Sequence, residues 1–195
     1  MNYQAGVDEA GLGPILGPLV VAGVAMAGPE GADPWQRLDS LVCRARHERG
    51  KLRVADSKKV KQGPHGLQRL EATALAFWTA WQGSLPATVG EFLQALPVPV
   101  DSLVDYPWYA DLTLPLPRHN DRDALLLQAE LLARALRKAE LQLLGLAIRP
   151  VEVVEWNALI AATDNKSRAH FHAYAEVLGR VLAWLPAQFA AGERG

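Results

Sequence analysis

Residues 6–24 read GVDEAGLGPILGPLVVAGV. A short apolar lead runs into two adjacent carboxylates, Asp8 and Glu9, and then into a turn built largely of glycine and proline. Pro18–Ala27 follows as a second run rich in valine and alanine. With Gly11, Gly13, Pro14 and Gly17 between them, the two runs predict neighbouring antiparallel strands, the first over residues 3–8. Two adjacent acids contribute nothing to a core. On a regular strand their side chains leave on opposite faces. If the backbone bends at Ala10–Gly11, both can turn towards one hard cation such as Mg²⁺, which takes oxygen ligands. The plain alternative is an exposed acidic turn. Gly11 and Gly13 leave backbone N–H groups bare, so a phosphate or sugar can approach closely.

Further along, Asp33–Arg46 predicts a short helix with Asp33 as cap and Pro34 in the first turn. Residues 51–63, KLRVADSKKVKQG, read mostly as a polar basic loop. Gly66–Gln82 places Leu67, Leu70, Ala74, Phe77, Trp78 and Trp81 at helical spacing. Residues 96–122 hold five prolines and form a Pro-rich irregular insert, with Asp111–Leu116 alternating as a short edge strand. Asp123–Leu144 carries a stripe of Leu125, Ala129, Leu132, Leu136, Ala139 and Leu143, with Gly145 as its stop. Ala147–Glu155 predicts a third strand. Asn165–Leu185 predicts a last helix capped by Asp164 or Asn165, with Phe171, Tyr174, Leu178, Val181 and Leu185 on one face. A hairpin, helices, then strand and helix indicate an α/β or α+β layer fold.

The chain has 195 residues, enough for one domain with a sizeable core. Half its residues are apolar and 21% are charged, the balance of a soluble globular protein. No apolar run approaches the roughly 18 residues of a membrane span, and the first residues lack the pattern of a signal peptide. The single cysteine, Cys43, excludes an internal disulfide framework and fits a reducing cytoplasm. A net charge of −1 offers no global basic excess, so nucleic-acid binding would need a local basic patch.

Three further stretches carry candidate chemistry, each beside a plainer reading. Lys58, Lys59 and Lys61 in ADSKKVK either meet phosphate oxygens as point charges or form a solvated loop. Asp164–Asn165–Lys166–Ser167 is either a helix cap or a metal-holding acid with Lys166 beside a phosphate. Glu155 closes the third strand as a metal ligand or a solvated acid. Glu152 and Glu155 are an odd number apart, so at most one could join Asp8. Tyr106, Trp108 and Tyr109 either stack bases or pin the loop to the body. His170 and His172, two apart on a helix, make a poor metal pair. No P-loop, GxGxxG, CxxC or GxSxG motif occurs.

GVDEAGLGPILGPLVVAGV followed by ADSKKV resembles the ribonuclease HII family, which opens on an Asp–Glu strand, a Gly-Arg-Gly turn and a Gly-Pro-Val-Val strand, with a DSKK segment after it. Residues 124–157 look like its long helix and an acid-ending strand, and DNKS (residues 164–167) is similar to its Asp-x-Lys-Ser. The resemblance is close over about residues 5–25 and 54–60 and looser over 124–185. It implies a single α/β domain over residues 1–195, a ribonuclease H-like mixed sheet flanked by helices with a reduced strand count. It implies Mg²⁺- or Mn²⁺-dependent cleavage of the RNA strand of RNA–DNA hybrids, with a non-catalytic hybrid-binding module as the alternative. Carried over by position, Asp8, Glu9, Glu155 and Asp164 would hold the metals. Two metals about 4 Å apart activate water and stabilise the leaving oxygen only where several carboxylates converge. Gly11, Leu12 and Gly13 would face the ribonucleotide and its 2′-OH, and Ser57, Lys58 and Lys166 the backbone phosphates. Leu12 stands where the family has arginine, Glu155 where it has aspartate, and Trp156 where it has glycine. The gap from Glu155 to Asp164 is shorter than the family's. These departures mark a divergent branch.

Overall fold

A computed structural model describes residues 1–11, 17–44, 48–96, 103 and 106–185. Leu12, Gly13, the end of the expected first helix and much of the Pro-rich stretch therefore lie outside the described residues. The architecture is mixed α/β. The chain divides into two compact units. One holds residues 1–2, 28–92 and 112–142; the other holds 3–27, 93–111 and 143–195.

The second unit contains a three-stranded antiparallel sheet in the order β1 (Asn2–Ala10), β2 (Leu19–Gly28), β5 (Gln142–Val151). Leu19, Val21, Ala25 and Ala27 alternate into the interior along β2, as a strand with one buried face must. β5 lies at an edge of the sheet, where Pro150 needs no ladder partner for its missing N–H. After β5 the chain turns at once into α6 (Val153–Thr163), and then α7 (Lys166–Ala183). Asp164 joins the two in the left-handed region, at φ 48°. The core is Leu19, Val21, Ala25, Ala147 and Val151 against Ala173, Val177 and Val181 of α7. Gly23 makes this close approach possible: a Cβ there would lie 2.6 Å from Val181 and 2.7 Å from Val177.

Two expectations shift in this unit. The third strand ends at Val151, so Glu155 stands in the first turn of a helix and not at a strand end. The buried face of α7 is Ala169, Ala173, Val177 and Val181, spaced at i+4. Phe171 and Leu178, expected inside, are 64% and 36% exposed. The sheet surface accepts small side chains at Gly23, and Phe171 and Leu178 turn outward, while Tyr174 and Leu185 pack against the margin of the core.

In the other unit, α3 (Gly66–Gln82) packs against α5 (Arg122–Lys138). α3 has the bounds its periodicity predicts. α5 buries Leu125, Ala129, Leu132 and Leu136 but ends at Lys138, so Leu143 and Gly145, expected as its last stripe position and its stop, belong instead to β5, which begins before the expected third strand. Trp78 anchors the pair, edge-on to Trp81 and Phe92 with ring centroids 5.7 and 4.9 Å away. Glu71 accepts from the backbone of Arg118 and His119 and from Asn120, fixing the turn into α5.

The expected helix from Asp33 is only one turn, α1 (Pro34–Arg37), capped by Asp33 as predicted. Leu38 then buries, and β3 (Val42–Cys43) pairs in parallel with β4 (Leu52–Arg53). The expected edge strand at 111–116 reduces to one bridge, Thr88 to Pro115, with hydrogen bonds from Val89, Gly90 and Leu116. Beside it the short α4 (Val89–Gln94) forms. The remaining short helix is α2 (Ser57–Val60).

Candidate functional site

β1 stays regular through Ala10, and this decides the geometry of the acidic pair. Tyr3, Val7 and Glu9 are half-buried on one face, while Asp8 is exposed on the other. No bend brings the two carboxylates together. The Asp8 carboxylate instead accepts the Glu9 N–H at 2.9 Å. Gly11, next in line, adopts φ 90°, and a Cβ there would lie 2.5 Å from the Pro18 carbonyl oxygen. The turn needs glycine for its own closure, whatever it faces.

Glu9 meets α7. Its Oε2 lies 3.9 Å from His170 Nε2, too far for a hydrogen bond, and that nitrogen is buried with no hydrogen-bond partner among the described residues. One turn on, Tyr174 donates to the Val7 carbonyl at 3.1 Å, tying α7 to β1. The histidine set aside as half of a metal pair thus lies beside Glu9.

Glu155 is committed elsewhere. Arg149, on β5, donates through Nη2 to Glu155 and through Nε to Glu176 of α7, the latter at 2.8 Å. Its Nη1 donates to the Pro150 carbonyl. Burial opposes the charge on Arg149, but its donation to the two carboxylates, together with their negative charges, outweighs it and holds the guanidinium pKa above its ordinary value. The arginine was not singled out from the sequence. Its signal was an isolated cation in the apolar run LLGLAIRPV.

Glu152 is nine-tenths buried at the start of α6, where its Oε1 accepts from the Tyr109 hydroxyl at 2.8 Å and its Oε2 has no partner. Tyr109 therefore pins its loop to the body, the second of the two readings of that aromatic cluster. Asp164 is exposed and ends α6 in the left-handed conformation. The cap of α7 is Asn165, which accepts from the N–H groups of Ser167 and Arg168 at 2.8 and 3.1 Å. Lys166 and Ser167 begin that helix, both exposed.

Asp8, Glu9, Glu155 and Asp164 all belong to the described residues. Among those residues no three of His, Cys, Asp or Glu gather into a group able to hold a metal ion. The carboxylates expected to converge do not fit a two-metal centre in this geometry.

In the other unit, the DSKK segment is a helix start and not a loop. Asp56 caps α2 by accepting from Lys59 N–H at 3.1 Å. Only Val60 of α2 is buried, so Ser57, Lys58 and Lys59 face solvent, as does Lys61 just beyond. Among the described residues, none of the three lysines joins an ion pair. Arg69 of α3 donates to the carbonyls of Val60 and Gln62 and holds the end of the turn in place.

No protein-family model, no curated protein and no solved structure matches the chain. No helix among the described residues is long and apolar enough to cross a membrane.

Proposed function

We propose that this chain is a nucleic-acid-binding module of ribonuclease H-like fold, akin to ribonuclease HII, that engages RNA–DNA hybrids without cutting them. One observation carries the choice over the nuclease: among the described residues no three acids gather, Glu155 being paired with Arg149. Binding itself is supported by the rigid display of Lys58, Lys59 and Lys61 on a capped turn. Lysines held outward in this way meet successive phosphates and release counterions. The cytoplasmic location and the hybrid as partner belong to the same reading.

The metal-dependent endonuclease is the second reading. Favouring it are the Asp8–Glu9 pair at the end of β1 and Asp164 and Lys166 flanking the start of α7. On that reading Mg²⁺ or Mn²⁺ would be held by Asp8, Glu9, Glu155 and Asp164, which requires side-chain rearrangement from the geometry described.

The two are separated by hybrid binding measured as a function of salt. A binding module gives affinity that falls steeply with salt and leaves the RNA strand intact. Lys58→Ala should weaken binding and reduce the salt slope by about one. Absence of hybrid binding at low salt would remove the proposal.

A further inference from the structure

Arg149 is the cation around which the acidic side chains of α6 and α7 are organised. Its side chain is only 17% exposed, and it reaches Glu155 on α6 and Glu176 on α7 from a strand between apolar neighbours. A half-buried carboxylate such as Glu155 needs a counter-charge. A divalent metal is one solution, and a guanidinium that presents several N–H donors in a fixed fork is another.

We infer that Arg149 is the built-in counter-ion of this carboxylate group, neutralising from within the chain the charge that a divalent metal would otherwise neutralise, so that these acids take no metal. The inference deepens the binding-module reading and depends on it only for its hybrid-binding arm. Its consequence is that hybrid binding requires no divalent ion, which affects affinity only as a competing counterion.

The first test is direct Mn²⁺ binding to the full chain, read from the electron paramagnetic resonance signal of free Mn²⁺ and from thermal unfolding in Mn²⁺ and in EDTA. The expected result is an undiminished free-ion signal and coincident unfolding midpoints, since a ligand without affinity for the folded state cannot shift them. Stoichiometric loss of the Mn²⁺ signal, restored by Glu155→Gln or Asp8→Asn, would overturn the inference. The second test is Arg149→Gln, which leaves Glu155 and Glu176 without their shared cation. The variant should melt lower than wild type, and adding Glu155→Gln should recover part of the loss. An unchanged midpoint in Arg149→Gln contradicts the assignment. Should that variant fail to fold, the wild-type Mn²⁺ result still decides. Hybrid binding that is abolished by EDTA contradicts the inference while sparing the binding module. Complete absence of hybrid binding removes the module and leaves the Mn²⁺ result standing.

Discussion

The fate of each acid is set by its local backbone. Asp8 and Glu9 part because a strand alternates, and nothing in DEAG bends the strand before Gly11. Asp164 occupies a left-handed position that glycine adopts without penalty. If its role is only to close α6, Asp164→Gly should raise stability by a few tenths of a kcal/mol to about 1 kcal/mol, which thermal unfolding would register. A fall in stability would show that the carboxylate makes a contact the turn depends on. Cys43 illustrates a different local control. Burial, with Glu48 adding to it, raises the thiol pKa above its ordinary value despite Lys51 and Arg53 nearby. Iodoacetamide at neutral pH should therefore label the folded chain slowly and the denatured chain fast. Because the folded state favours the protonated thiol, any stability from this group is present below the unfolded thiol pKa. It is lost as pH rises through the folded value.

At the level of elements, apolar periodicity found the long helices but not always how they are turned. α5 buries Leu125, Ala129, Leu132 and Leu136 of its stripe against another helix, where large side chains interdigitate, whereas α3 buries Leu75, Ala76, Trp78 and Thr79 and leaves Leu67 and Ala74 of its expected stripe exposed. α7 packs on a sheet that presents Gly23, and the small side chains win the buried face. Hydrophobicity alone ranks Phe171 and Leu178 above Ala173, and those two face outward, while Val181 is buried and Tyr174 and Leu185 pack against the core as expected. The assignment is checked by a pair of substitutions. Val177→Ala should cost about 2 kcal/mol, the transfer and cavity terms for its lost methyl groups, in denaturant unfolding. Phe171→Ser, on the exposed side, should stay within about 0.5 kcal/mol of wild type. Equal losses at both positions would place the buried face elsewhere. α6 was missed for a related reason: VEVVEW is rich in β-formers, yet it becomes helix once Glu152 and Trp156 close the first turn.

For the molecule as a whole, the hairpin, the two long helices, the third strand and the last helix were legible from periodicity and punctuation. The site was legible as a set of residue types but not as a geometry. Asp8, Glu9, Glu155 and Asp164 are the right chemistry for a metal pair, but spacing along a chain does not reveal whether a strand bends. Nor does it reveal that Arg149 reaches across from β5 to claim Glu155 and Glu176. The lysines of ADSKKVK needed no such distant information, because Asp56 caps its own turn and leaves them outward. The central proposal is therefore that the chain holds an RNA–DNA hybrid while Glu155 remains engaged with Arg149 and the four acids stay apart. The most direct measurement incubates a labelled hybrid with the protein, in Mg²⁺ or Mn²⁺ and separately in EDTA. Binding and the length of the RNA strand are then read from the same samples. Binding that persists in EDTA, with the RNA strand intact in every condition, is the predicted result. RNA fragments that appear only with the metal, and vanish in Asp8→Asn, would contradict it.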